Sequence, residues 1–370
     1  MKRKRNRLFG YVSRAGLLVA ALFVMYAGPV SARPEAERGW QPERTWVFVV
    51  GTLEWKHEEM WDSFPKENRR DRELVKFFRQ EGVPSAQIVY LRDREATERR
   101  IEESLTRHLS RARPGDFLFL YYTGHGYQEE DSGDTYLASW DAGDDGVPGW
   151  AVHSIPASIE RHFKGDRALI VLDNCYSGAL TRTVRRMESR VSYAVLTSST
   201  SNQVSTANWT FTEILLAALE GKPYVDTNSD GEITLAELND QAREDMAFAE
   251  EQRSTFTTTG EFSPQTVLAL AGRRADERIG ARVIVRSEGD WYKGRIIDVA
   301  RSKSLFLIHY YGYDDTYDEW VSARQIRWPN ARPAKRTFAR SVIESKPDWR
   351  QDWLPALRMA RIGSGISVVM

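Results

Sequence analysis

The chain has 370 residues, 41% of them hydrophobic and 28% charged, with Lys plus Arg and Asp plus Glu balanced at 52 each. That composition excludes a disordered polyelectrolyte and a bundle of membrane spans, and a single cysteine excludes a disulfide scaffold. The length exceeds one ordinary core, so two or three domains are expected.

The first segment reads as an export signal. Met1–Arg7 is basic and free of acids, Gly16–Met25 is apolar but too short to span a bilayer, and Val30-Ser31-Ala32 is a small-residue cleavage site. Residues 1–32 are therefore read as a signal peptide, and the mature protein as secreted or periplasmic with no stable membrane span. Uncleaved, the same stretch is a membrane anchor. Its removal takes away Lys2, Arg3, Lys4, Arg5, Arg7 and Arg14 and leaves a net charge of −6, which offers no charge reason to bind nucleic acid.

Downstream, apolar runs alternate with amphipathic stretches. Trp46–Gly51 reads as a buried strand, Asp71–Gln80 as a helix stopped by Gly82 and Pro84, and Ile88–Leu91 as a strand. A helix over Thr97–Ala112, a strand over Phe117–Tyr122, a helix over Ser154–Phe163 and a strand over Ala168–Leu172 follow. Strand Tyr193–Leu196 and helix Phe211–Leu219 complete the unit. This alternation implies βαβ crossovers and an α/β fold with a mainly parallel sheet, whose active site lies beyond the carboxyl ends of the strands. Short strands over Ala281–Val285, Trp291–Val299 and Leu305–Tyr310 suggest a small C-terminal β-barrel. The boundaries expected are 45–275 for the α/β domain and 279–328 for the barrel, with 329–370 an unassigned tail.

Two strand ends carry reactive groups. Phe117–Tyr122 runs into Thr123-Gly124-His125-Gly126, and Ala168–Leu172 runs into Asp173-Asn174-Cys175-Tyr176-Ser177-Gly178. An unpaired cysteine in an exported chain points to a reactive thiol or an intermolecular bridge. Acyl transfer needs a thiolate, a base and donors for the oxyanion; Cys175 supplies sulfur and His125 the imidazole, whose ion pair lowers a thiol's pKa. The backbone N–H groups of Gly126 and Cys175 are the candidate oxyanion donors. The spacing of His before Cys, with Tyr-Thr-Gly-His-Gly, Leu-Asp-Asn-Cys-Tyr-Ser-Gly and Thr-Ser-Ser, resembles the caspase and metacaspase family of cysteine peptidases, in particular its bacterial metacaspase-like members. The resemblance covers about Thr45 to Leu219 and implies a caspase-like αβα sandwich, a His125–Cys175 dyad and peptide or protein substrates. Tyr176 departs from the His that metacaspases commonly carry after the cysteine.

Asp173 precedes the nucleophile by two residues, where the resemblance implies a residue lining the first specificity pocket. A buried carboxylate there calls for a cation, so Arg or Lys is expected at the cleaved bond. Asp141, in Tyr-Leu-Ala-Ser-Trp-Asp, matches a segment that approaches the same pocket. The basic stretch Leu180–Arg190 reads as a loop between nucleophile and next strand, and as a candidate for cleavage after Arg185, Arg186 or Arg190 by the protein itself.

Asp226–Glu237 fits the EF-hand calcium loop at every ligand position: Asp226, Asn228, Asp230, the Glu232 carbonyl, Thr234 through water and a bidentate Glu237, with Gly231 for the turn. Helical flanks are expected over Phe211–Leu219 and Leu235–Arg253. Calcium is the one cofactor expected, as a switch or a structural ion, and no organic cofactor is. The segment from Ile279 to Arg327 resembles the Tudor-knot or chromo-barrel family, an SH3-like barrel; the resemblance implies an aromatic cage, at Tyr292, Tyr310, Tyr313 and Tyr317, for a cationic ligand. Two functions follow: a calcium-responsive cysteine endopeptidase, or a catalytically silent scaffold that binds ligands through its barrel.

Overall fold

The computed structural model describes residues 38–300, 302 and 304–329. The signal-peptide reading of residues 1–32 and the tail beyond Pro329 lie outside them.

The α/β domain begins with β1 (Thr45–Gly51), α1 (Arg70–Gln80), β2 (Ile88–Arg92), α2 (Glu98–Leu109) and β3 (Phe117–Thr123). A three-stranded excursion follows, β4 (Gly126–Gln128), β5 (Thr135–Leu137) and β6 (Trp150–Ala151). Then come α3 (Ser154–His162), β7 (Arg167–Asp173), α4 (Ala179–Arg186), β8 (Ser192–Thr197) and α5 (Thr210–Leu219). The domain closes with β9 (Glu232–Thr234), α6 (Leu235–Asp245), one turn of π-helix (Met246–Glu250), β10 (Thr255–Thr258) and β11 (Val267–Leu270).

The main sheet has the order β10-β8-β7-β3-β1-β2, parallel except for β10. Strands β1 and β3 are buried along their whole length, which is why they read as continuous apolar runs. Their period of two still sorts the two faces. Val47, Val49, Phe119 and Tyr121 share a core with α1, α5 and α6, whereas Trp46, Phe48, Leu118 and Leu120 share one with α2, α3 and α4. Each such side chain contributes about 1.5–3 kcal/mol on burial. The expected αβα sandwich is the observed one.

Ala179–Arg186 is helical, where a loop was expected. Its charge hides a helix signal, since Leu180 and Val184 stand four residues apart and are both buried. The helix expected to run from Leu235 to Arg253 ends at Asp245, and the chain turns at Glu251, whose φ is 56°.

The C-terminal unit is an antiparallel sheet in the order β15-β14-β13-β12-β16, built from β12 (Arg282–Ser287), β13 (Asp290–Val299), β14 (Leu305–Tyr310), β15 (Glu319–Ser322) and β16 (Ile326–Arg327). It curls around Val283, Val285, Ile296, Phe306, Ile308 and Val321 as a half-barrel. Charged contacts tie it to the α/β domain. Buried Arg295 pairs with buried Asp245 at the end of α6, and Tyr311 donates its hydroxyl to the same carboxylate at 3.2 Å. Arg70 of α1 holds Asp315 at 2.7 Å. His309 lies between Asp318 (2.8 Å) and Glu213 of α5 (3.4 Å), and these hydrogen-bonded carboxylates raise its pKa to about 10 against the cost of burial.

Candidate active site

Parallel pairing of β3 with β7 sets the site. Thr123 lies opposite Asp173, so the two residues that follow each, ending in His125 and Cys175, leave adjacent strands at the same level. Gly124 has a φ of +147°, and a Cβ there would stand 2.8 Å from the Thr52 carbonyl and the Tyr122 hydroxyl, so only glycine fits. A Cβ on Gly126 would collide with the Asn174 amide and the Cys175 carbonyl. The two loops therefore meet backbone to backbone, and the expected oxyanion donors, Gly126 and Cys175, are neighbours.

The His125 Nε2–H donates to the Asp62 carbonyl at 2.8 Å, which leaves Nδ1 as the free base. Its ring sits among Phe64 (4.4 Å), Trp55 (4.5 Å) and Trp61 (5.7 Å). Burial in this aromatic box lowers the imidazole pKa to about 4. The Cys175 side of the site is also dry, and burial pushes the thiol up to about 11. The segment after β8 covers the sulfur: the Ser205 N–H donates to Sγ at 3.1 Å, and the Tyr176 N–H donates to the Gln203 carbonyl at 3.0 Å. Cys175 is only 6% exposed. An ion pair was expected here; under this cover the uncharged thiol and imidazole are the favoured forms, because neither charge has water around it.

Asp173 ends β7 and is 8% exposed. Thr212 of α5 donates its hydroxyl to it at 2.6 Å, and Thr212 is itself bonded to Tyr121 at 2.6 Å. Burial raises its pKa to about 6, and the acids Glu250 and Glu213 add to the rise. No Lys or Arg pairs with it among the described residues. Asp141 has partners of its own: its Oδ1 accepts the Glu98 N–H of α2 at 2.9 Å and the Ser139 hydroxyl at 2.8 Å, which makes it a cap of that helix. No described contact joins it to Asp173.

A family model for the caspase domain matches residues 68–266. The chain belongs to that family. A second model, for the Tudor-knot described as the RNA binding activity-knot of a chromodomain, matches residues 278–328, the half-barrel of this caspase-domain protein. No curated protein matches. Among solved structures, the crystal structure of protein GSU0716 from Geobacter sulfurreducens is similar at 15% identity, covering 62% of this chain and 100% of that one with a TM-score of 0.46.

Beyond its caspase-type site the protein carries two further candidate sites. In the loop 226–237, Asp226 accepts the Asp230 and Gly231 N–H groups at 3.2 and 3.0 Å, and Gly231 has a φ of +90°. Asn228 accepts the Asp230 N–H at 2.8 Å, and Asp230 accepts the Glu232 N–H at 2.9 Å. Glu237 accepts the Thr227 N–H through one oxygen, while the other forms a capping box with Thr234. Oxygen donors stand at every ligand position, and buried Asp226 and Glu237 meet only N–H and O–H donors among the described residues, so the donor chemistry suits calcium. The three carboxylates are not drawn tightly together; the trio that is, among the described residues, is His309, Asp315 and Asp318, already engaged with Arg70 and Glu213. The entering helix α5 stops at Leu219, well before Asp226, and β9 pairs with β11.

The four candidate cage tyrosines do cluster. Tyr292 lies 5.8 Å from Tyr310 and 6.0 Å from Tyr313, and Tyr313 lies 5.4 Å from Tyr317, all edge to face. Tyr310 is buried and donates to Glu319 at 2.6 Å; Tyr313 and Tyr317 are exposed.

Sequence reasoning missed the Asp62 carbonyl, the aromatic box, Thr212 and the covering segment. The loop between β1 and α1, with Trp55, Trp61 and Phe64, held a signal, since surface loops seldom carry so many large aromatics.

Proposed function

We propose that this caspase-domain protein is an exported cysteine endopeptidase that cleaves after Arg or Lys. The observation that carries the reading is the level exit of His125 and Cys175 from adjacent parallel strands, beside a buried carboxylate that has no cation among the described residues. Export rests on the character of residues 1–32. Substrate displaces the Gln203–Ser205 cover, and its basic side chain neutralises Asp173. His125 Nδ1 takes the thiol proton as Sγ attacks the scissile carbonyl, with the Gly126 and Cys175 N–H groups facing the oxyanion. The imidazolium then hands that proton to the leaving amine. Water, deprotonated by the same nitrogen, hydrolyses the thioester and frees the enzyme.

Calcium raises activity in this reading. Asp226, Asn228, Asp230, the Glu232 carbonyl, Thr234 and Glu237 would hold the ion, which supplies positive charge that gathers the loop. The chain links this loop to the cover: α6 starts at the Glu237 capping box and runs into the π-turn, where Glu250 accepts from Asn208 at 3.0 Å and Gln252 accepts from Ser205 at 3.3 Å.

An arginyl chloromethyl ketone tests the reading. Intact-mass and peptide mapping should find one adduct, on Cys175, formed faster with calcium. An aspartyl reagent that reacts as fast as the arginyl one would contradict the pocket assignment, and no adduct with any reagent would favour the silent scaffold.

A further inference from the structure

Two carboxylates at the first turn of α5, not one, lack a cationic partner among the described residues. Asp173 holds onto α5 through Thr212. Glu250, which ends the π-turn, holds onto the same helix two residues earlier, taking the Thr210 hydroxyl and the Asn208 amide. Both threonines are fully buried, so the carboxylates flank the first turn of α5 from two different elements. The neighbouring interior carboxylates are treated otherwise: Asp71 carries Arg69, Glu213 carries Arg70, and Asp245 carries Arg295 and Arg282. Among the described residues neither Asp173 nor Glu250 has a Lys or Arg.

Unused polar atoms border the same place. Asn174 Oδ1, Thr206 Oγ1 and Ser254 Oγ are buried without a hydrogen-bond partner among the described residues. Asn174 lies between Asp173 and Cys175 in the chain. Thr206 follows Ser205, whose N–H sits on Sγ, and Ser254 precedes β10, where Thr255 lies opposite Thr197. Buried polar atoms are seldom left unpaired unless something else is to meet them. Ser205 also donates its hydroxyl to Gln252 at 3.3 Å, so the turn that carries Glu250 is one side chain away from the sulfur.

We propose that Glu250 is the second carboxylate of the pocket for the substrate's basic side chain, and that it makes the enzyme select arginine over lysine. The inference rests on the reading of Asp173 as the first. A guanidinium presents its five N–H groups on separate edges of a plane, so it can address two carboxylates from different directions and still reach spare acceptors. An ammonium is a compact charge with three donors that settles on one carboxylate. Removing the second carboxylate therefore costs arginine more.

The test is kcat/KM for two fluorogenic peptides that differ only in Arg or Lys at the cleaved position, in wild type and Glu250→Gln. Wild type should prefer Arg. Glu250→Gln should lower kcat/KM for Arg by about 10- to 100-fold, the loss of one charge-assisted contact, and lower it for Lys by less than about three-fold. If Glu250 only secures Asn208 and Thr210, both substrates fall together; an unchanged Arg-to-Lys ratio overturns the proposal and leaves the Arg/Lys reading standing. Cleavage of neither peptide by wild type overturns both. Glu250→Asp, which keeps the charge and withdraws it by one methylene, serves where the Gln variant does not fold, and should shift the ratio the same way by a smaller factor.

Discussion

His108 makes acid stability calculable. It sits on the buried face of α2, with its ring 5.0 Å from Trp46 and 6.0 Å from Phe48, and no side chain among the described residues bonds either ring nitrogen; the Val47 backbone is its one polar neighbour that favours the charged form. Burial lowers its pKa from 6.5 to about 4. A histidine that is harder to protonate when folded leaves stability intact above pH 6.5, and that stability is lost as pH falls toward 4, because the unfolded chain binds the proton first. At 1.36 kcal/mol per unit the full loss is about 3 kcal/mol, most of it complete by pH 4.5. The perturbation is His108→Leu, which fills the apolar site and cannot titrate. Urea unfolding of both proteins at pH 7.5 and 4.5 separates this group from the rest, since His125, with the same sign, and Asp173, with the opposite one, titrate in both. Wild type should lose about 2–3 kcal/mol more than the variant over that interval. Equal losses would refute the assignment of a neutral, buried His108.

The other expectations concern coupling and processing. Asp245→Asn leaves Arg295 buried without its counter-charge and should cost about 3–5 kcal/mol in thermal or urea unfolding; a cost below about 1 kcal/mol would show that the half-barrel is not fastened there. Calcium should bind and raise the melting temperature, and Glu237→Gln should abolish the calorimetric heat; an unchanged heat would remove the site. Self-cleavage within Arg182–Arg190 should be absent, because α4 is helical, Arg185 is bonded to Thr257 at 2.8 Å and Arg190 to the Gly165 carbonyl at 3.1 Å. Mass spectrometry of wild type and Cys175→Ala after calcium addition checks it, and cleavage there in wild type alone would contradict the argument.

The central strands were legible because burial on both faces leaves β1, β3 and β7 with few polar residues, and the strand-end rule then located His125 and Cys175. The half-barrel was legible from its turns and its alternation, Val283 and Val285 inward, Phe306 and Ile308 inward. Two kinds of feature were not. Short elements such as α4 and β9 have too few residues for a period to emerge from among Arg, Thr and Glu, and β11, though wholly apolar, is only four residues long. Long-range partners leave no local trace: the carbonyl that orients His125 comes from Asp62, and the group that occupies Cys175 is a backbone N–H at Ser205. Asp141, too, has partners that no local pattern announces, since its Oδ1 accepts from the start of α2.

The dyad is tested most directly by hydrolysis of matched fluorogenic peptides with Arg, Lys or Asp at the cleaved bond, using folded wild type, Cys175→Ala and His125→Ala in calcium. Wild type should cleave the Arg and Lys peptides and spare the Asp peptide, and each variant should lose about a thousand-fold or more in kcat/KM. Either variant retaining activity near wild type, or faster cleavage after Asp, would contradict the account.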